Sequence, residues 1–357
     1  MKRSVRWLPA VLAPALIVAG AITIPAVANA ATTLPDKTPQ QVLAMIAGAK
    51  DAAYSGTVEQ SSDLGLPQLP STGSGSRAGS DSTSQLLDLL TADHSARIFV
   101  DGAQKQRVQV LDQLAERDVI RNGSQLWTYD SKTKTATHST RSPSDATPAP
   151  SAAPSTEALS PAQLADRFIQ AIEPSTTLHV TSTARVAGRA VYQLALAPRS
   201  GTTLVAGVTL SVDGKTGVPL KVVVDARGQK SDAFSVGFRS IDFSTPAAEL
   251  FRFAPPAGTT VTTPTKPAKP GPVPNDPDKG AVKPSVTGSG WDSIVELPAD
   301  TATKVTGSSQ SKLLGELTTA VPGGRALQTS LISVLLMTDG RVLLGAVPIA
   351  TLEAAAR

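Results

Sequence analysis

Hydrophobic and polar residues alternate with a period of two through most of this chain, most plainly between Val119 and Ser139. There Gln125, Trp127 and Tyr129 fall on one face and Leu126 and Thr128 on the other. Asn122-Gly123 and Asp130-Ser131-Lys132 are turn sequences, so the stretch predicts successive antiparallel strands. The same period marks Tyr54, Gly56 and Val58, then Ala96, Ile98 and Val100, then Val108 and Val110. It returns in Tyr192, Leu194 and Leu196, and in a run read as one face from Leu204 through Ala206, Val208 and Leu210 to Val212. The turn Asp213-Gly-Lys-Thr-Gly217 leads into Leu220, Val222 and Val224. Phe234, Val236 and Phe238 follow, and the phase then slips before Ile241 and Phe243, which predicts a bulge.

Helical periods are few. Thr38-Pro39-Gln40-Gln41 is a capping box with proline at the first helical position, and Val42, Met45, Ile46 and Ala49 continue as an apolar stripe. Ser160-Pro161-Ala162-Gln163 repeats that start, with Leu164, Phe168, Ile169 and Ile172 on one side and Pro174 as the stop. Leu86 to Leu90 suggests a short helix. Stretches 61–90 and 141–159 read as loop and linker, the first opening with a proline-punctuated apolar segment, Leu64 to Pro70. A second linker, 262–290, is rich in Pro, Lys and Gly. Beyond it, 291–357 reads as a small α/β module. Trp291 and Val295 suggest a strand there, and Leu313, Leu314 and Leu317 a helix. Asp339-Gly340 turns between strands Leu327–Met337 and Arg341–Val347, and Leu352 to Ala356 suggests a last helix.

About ten strands in one antiparallel sheet leave one face needing a cover, and two helices of about three turns are a small cover for it. A twisted sheet of this size curls around them. The result is either an apolar cavity lined by Leu, Val, Ile and Phe or a core filled by the tail or linkers, and these residues alone leave both open.

Lys2, Arg3 and Arg6, an apolar run from Leu8 to Val27 and the sequence Ala28-Asn29-Ala30 predict a signal peptide, 1–30, cleaved after Ala30; an uncleaved anchor is the other reading. The chain is expected to be extracytoplasmic, at the cell envelope or secreted. None of its 357 residues is cysteine, so stability rests on the core and thiol chemistry is excluded. The net charge of +4 falls to +1 without the three basic signal residues, which gives no argument for nucleic acid.

The sequence carries no recognisable catalytic constellation. His94, His138 and His179 have no second histidine or carboxylate pair at metal spacing and read as surface residues. There is no Gly-x-Ser-x-Gly elbow and no phosphate-cradling loop. Asp276 and Asp278 lack the glycine and glutamate of a calcium loop. Trp127 and Tyr129 read as a cross-strand aromatic pair rather than a ring-binding platform. No enzyme, cofactor or metal is expected.

Arg121-Asn-Gly-Ser-Gln-Leu-Trp-Thr-Tyr-Asp130 with Lys132 to Thr137, Val186 to Tyr192, Val208 to Leu220 and the Phe-x-Pro-Pro-x-Gly close ending at Gly258 resemble the family of the periplasmic lipoprotein carrier LolA, with LolB, RseB and the mycobacterial lipid-binding lipoproteins. The nearest likeness is to actinobacterial LolA-like exported proteins. The resemblance covers roughly 38–261 and leaves 291–357 unmatched. It implies an α+β fold, an unclosed antiparallel β-barrel with a helical plug, for a domain bounded at 31–261. It also implies a non-enzymatic protein that binds lipid or acylated lipoprotein, or an RseB-like regulator that docks on an anti-sigma factor or other membrane partner. A structural envelope protein whose tail fills the concavity is the third reading. The family has no short binding motif to carry over. The candidate ligand contacts are therefore inward-facing positions: Val108, Val110, Leu194, Leu196, Val208, Leu210, Val222, Val224, Phe234, Val236 and Phe238. Aspartate at Val208 and Val222 is expected to abolish binding in a folded protein.

Overall fold

The computed structural model describes residues 34–66, 93–112, 115–140, 175–263, 284–299 and 317–357. The signal peptide, the 141–159 linker, the helix read over 160–173 and the one near Leu86 lie outside these, as do most of the Leu64–Pro70 segment and the helix at Leu313.

Twelve strands form the large sheet. In chain order they are β1 (Ala53–Ser62), β2 (His94–Asp101), β3 (Lys105–Asp112), β4 (Ala115–Asn122), β5 (Gln125–Asp130), β6 (Thr135–Thr140), β7 (Thr176–Val186), β8 (Arg189–Pro198), β9 (Val205–Asp213), β10 (Pro219–Ala226), β11 (Phe234–Asp242) and β12 (Thr260–Thr262). Their spatial order is β12-β6-β5-β4-β3-β2-β1-β11-β10-β9-β8-β7. Every pairing is antiparallel except β12 on β6, and the ends of the sheet do not pair with each other. This is the large antiparallel sheet that the alternation predicts, left unclosed as the family resemblance implies. Two consecutive meanders meet at β1 and β11.

That meeting carries the predicted bulge. Thr57 lies opposite Ser240 and Val58 opposite Phe238, so Arg239 is the extra residue. Gly56 is required beside it: a Cβ there would lie 2.2 Å from the Ser240 carbonyl oxygen and 2.9 Å from the Phe238 ring. A second bulge departs from the sequence reading. Ala206 is unpaired between Gly207, opposite Asp225, and Val205, opposite Ala226. Val205 therefore turns inward, and Leu204 and Ala206 do not share the face of Val208.

Helix α1 (Pro39–Gly48) starts as its sequence predicts. The Gln41 N–H donates to Thr38 Oγ1 at 3.3 Å, and the Thr38 N–H to Gln41 Oε1 at 2.9 Å. Val42 and Ile46 are buried against the sheet. A Cβ on Gly217 would lie 2.4 Å from the Met45 carbonyl oxygen, so the 213–217 turn and the helix touch backbone to backbone.

The tail is a six-stranded antiparallel sheet: β13 (Ser285–Thr287), β14 (Ile294–Leu297), β15 (Thr319–Val321), β16 (Gly324–Gln328), β17 (Ser333–Met337) and β18 (Val342–Gly345), in the order β13-β14-β18-β17-β16-β15. Helix α2 (Ile349–Ala355) covers it over Leu335, Leu343 and Leu352. The single strand read over Leu327–Met337 is two strands, because Thr329 turns the chain by bonding Leu331 and Ile332. Ser285–Thr287 is a strand inside the stretch read as linker.

The outer face of the large sheet has a cover of its own over β3–β5. The outer cover is the segment after β11, with its 3-10 turn Ala248–Phe251. Phe251 is buried, and Phe253 lies 5.3 Å from the Trp127 ring and 5.4 Å from the Tyr129 ring. Trp127 also stacks on His138 at 4.2 Å, so this histidine is a packing partner across the strands. Beneath the segment, Arg107 Nη2 contacts Asp118 Oδ2 at 2.5 Å, and Arg107 Nη1 donates to the Leu250 carbonyl oxygen at 3.4 Å. Asp118 is 2% exposed, and its Oδ1 has no hydrogen-bond partner. Burial pushes its carboxyl up to about 6; Arg107 opposes this and Glu116 adds to it.

Two outcomes follow from these contacts. Gly56→Ala should lower the unfolding free energy by about 2 kcal/mol or more, since the clash is with backbone; unchanged chemical denaturation would show that the seam can move aside. Asp118 keeps a proton in the folded protein between pH 4 and 6 that the unfolded chain has released, so its contribution to stability falls as pH rises through that window. The stability of the wild type relative to Asp118→Asn should drop by on the order of 2 kcal/mol from pH 4 to pH 6.5 and stay level above pH 7. A difference flat over the whole range would remove the burial argument.

Candidate functional site

Residues paired directly across antiparallel strands share a face. Val110 pairs with Ala96, Ala96 with Val58, and Val58 with Phe238, while Val108 pairs with Ile98. Val236 pairs with Val222, Val222 with Leu210, and Leu210 with Leu194. Phe234 pairs with Val224, Val224 with Val208, and Val208 with Leu196. All eleven candidate residues therefore lie on one continuous face, and they belong to one apolar cluster with Val42 and Ile46 of α1.

Ten of the eleven are buried, and Phe234 is partly so. Val208 and Val222 are 1% and 0% exposed. Aspartate at either would leave an uncompensated charge in a closed core, so the expectation that such variants stay folded does not hold. Packing loosens toward the other side of the sheet. Val119, Leu126 and Thr128 share the same face by register and are half-buried.

The cluster is closed at its two ends by different parts of the chain. At the end with the 213–217 turn, Tyr192 donates from its hydroxyl to the Pro35 carbonyl oxygen at 2.7 Å, and Leu34 packs on Gly214. Burial, with Asp36 nearby, pushes the Tyr192 phenol up. Asp213 fixes the turn by accepting from the Lys215 and Thr216 N–H groups. It also accepts from Arg189 Nε at 2.5 Å and Arg189 Nη2 at 3.1 Å. Burial opposes ionisation of Asp213, but the bonds from Arg189, Thr216 and Lys215 prevail and hold its carboxyl below the usual range.

At the opposite end the tail docks. The Leu204 N–H and the Thr203 hydroxyl both donate to the Ala346 carbonyl oxygen, each at 2.7 Å. Trp291 Nε1 donates to Thr176 Oγ1 at 2.8 Å, and the Thr202 hydroxyl donates to Asp292 Oδ1 at 2.8 Å. The Ser330 N–H donates to the Leu64 carbonyl oxygen at 2.9 Å, which ties the base of the loop after β1 to the tail. Trp291, Leu331 and Ala346 pack against the apolar cluster itself. The sequence leaves open that the tail fills the concavity but does not identify these contacts, and Trp291, read as part of a strand, lies in the 3-10 turn Gly290–Asp292.

Among the described residues no group of histidine and carboxylate side chains could hold a metal ion. Among them also, no helix is long and apolar enough to cross a membrane. The face offers burial of apolar atoms and, on β4, the guanidinium groups of Arg117 and Arg121.

The MucB/RseB N-terminal domain family matches residues 90–245. No curated protein matches the chain. Among solved structures, a chain from the Pseudomonas aeruginosa MucA/MucB complex is similar at 19% identity, with 88% of this chain and 96% of that one covered and a TM-score of 0.45. A conserved protein of Thermus thermophilus is similar at 12% identity over 64% of this chain and 100% of that one, with a TM-score of 0.36. A LolA superfamily protein of Nitrosomonas europaea is similar at 9% identity over 61% and 99%, with a TM-score of 0.26. The MucB/RseB match runs from β2 through β11 of the large sheet.

Proposed function

We propose that the chain is an extracytoplasmic, non-enzymatic binding protein of the cell envelope that holds the acyl chains of a lipid or lipoprotein against the inner face of its open sheet. The observation that carries this reading is the single apolar face running from β8 to β3, with cover that thins toward β4–β6. Export is supported by the basic start, apolar run and Ala28-Asn29-Ala30 of the N-terminus. Burial of chain methylenes would supply the affinity, at about 0.8 kcal/mol each before the costs of binding.

The second reading is an RseB-like regulator that docks on an anti-sigma factor or other membrane partner, favoured by the MucB/RseB match. The third is a structural protein whose tail completes the core, favoured by the packing of Trp291, Leu331 and Ala346 on the cluster.

Native mass spectrometry on mature protein purified without detergent tests the first reading. A lipid or acylated peptide near one equivalent is expected, and Val119→Asp, at a half-buried position, should weaken its retention at least tenfold without unfolding the protein. A clean apo mass that also refuses added lipid would overturn the reading. Trp291→Ala separates the third. It should cost about 2–3 kcal/mol of unfolding free energy if the tail is part of one core. If the tail is an independent gate, the large domain should keep its own cooperative transition and take up lipid faster.

A further inference from the structure

We propose that the inner face of β4–β6 receives the charged head of the ligand, which is an acyl lipid bearing a phosphate, and that Arg121 is the contact. The inference rests on the acyl-chain reading above and names its ligand class.

Three observations meet at this place. Burial of the inner face fades across the sheet, from Leu210 and Val222, which are fully buried, through Val110, to Val119 and Leu126, which are half-buried. The chemistry of the face changes at the same line. From β8 to β3 it is predominantly aliphatic and aromatic, whereas β4 presents Arg117, Val119 and Arg121. The two arginines also differ in what they face. Arg117 lies directly opposite Asp130 on β5, so an acid stands at its register position. Arg121 lies between Gln106 on β3 and Leu126 on β5, with no acid at either position.

The Arg121 guanidinium makes one long hydrogen bond, from Nε to the Gly123 carbonyl oxygen at 3.4 Å, and its two terminal nitrogens have no protein partner among the described residues. A half-buried guanidinium is always charged and offers a planar fork of donors that matches a phosphate through two parallel bonds. Val119 lies two residues along the strand, about 7 Å away, and Val108 lies across from Val119. A head held at Arg121, next to the Asn122-Gly123 turn, would stay at the solvent edge. Its chains would run along β3 and β4 toward the apolar cluster. The asymmetry between the arginines selects one orientation of the amphiphile.

The test compares fluorescent phosphatidylglycerol with a diacylglycerol carrying the same chains and fluorophore, titrated into full-length mature protein below the lipids' aggregation concentrations. The wild type should bind phosphatidylglycerol at least tenfold more tightly. Arg121→Gln should erase the preference while leaving diacylglycerol binding unchanged, and Arg121→Lys should retain part of it. Thermal unfolding of each variant checks that the fold persists. Equal binding of the two lipids, unaffected by Arg121→Gln, would overturn this inference and leave the acyl-chain reading standing. Failure of both lipids to bind would overturn the acyl-chain reading and this inference with it.

Discussion

The antiparallel seam between β1 and β11 is the contact on which the rest of the molecule depends. It joins a six-strand meander, β1–β6, that ends at Thr140 to a five-strand meander, β7–β11, that begins at Thr176. Each meander could form from local turns alone, but neither has a second layer until the seam puts their inner faces in register. The seam tolerates little variation. Arg239 bulges out, the backbone of Ser240 moves close to β1, and only glycine at position 56 leaves room for it. Bulges increase local twist, and here the extra twist falls at the centre of the sheet. The two halves can then curl toward one another, and β7 comes back within reach of β11.

Once the sheet is curled, its two faces meet different physical demands. The inner face gathers Tyr54, Ile98, Leu194, Leu210 and Val222 into one cluster, where burial of each large side chain contributes roughly 1.5–3 kcal/mol. The outer face over β3–β6 carries polar groups that must also find partners once the segment after β11 lies across them. Arg107 reconciles them by contacting Asp118 and reaching the Leu250 carbonyl oxygen at the same time. It does so incompletely, since one Asp118 oxygen and Arg107 Nε remain unpaired. A buried ion pair of this kind is weak evidence for stability and better evidence for a fixed arrangement. Asp213 is the contrasting case: it is equally buried but supplied with bonds from Arg189, Lys215 and Thr216, and its carboxyl stays ionised.

Much of this was legible in the sequence. Period-two alternation located the strands of the large sheet other than β7 and β12, the capping box at Thr38 and Gln41 fixed α1, and the slip before Ile241 announced the central bulge. The inner face could be written down residue by residue because cross-strand register preserves the side-chain period. What could not be read falls into two kinds. The Ala206 bulge interrupts an apolar run in which both phases look alike, since Leu204, Val205 and Ala206 are all apolar. The docking of the tail and the covering of the outer face are contacts between segments far apart in the chain, and a period within one segment cannot report what lies across it. Phe251 and Phe253 looked like a closing motif and are in fact the lid of a second, outer core. The degree of burial was hidden for the same reason: alternation says that Val208 and Val222 face inward, not that nothing else can enter beside them.

That last distinction bears on function. An apolar face becomes a binding site only where its own chain leaves it incompletely covered, and the cover here is uneven. Helix α1 and the 213–217 turn close one end of the cluster through backbone contacts that cannot separate without cost. The tail closes the other through a few hydrogen bonds and the packing of Trp291, Leu331 and Ala346, and one of those bonds runs to the loop that follows β1. Contacts of that size, with polar groups that water can satisfy equally well, resemble those between domains that move. The fully packed strands β8–β11 then serve as the rigid wall. The half-covered strands β4–β6 and the tail-capped end are where a chain of methylenes could replace protein atoms at least expense. On the proposed reading, the same unevenness would suit either a carrier or a sensor. If bound lipid displaces the tail, the ligand is coupled to whatever the tail and its loop contact, without any change in the seam that holds the sheet together.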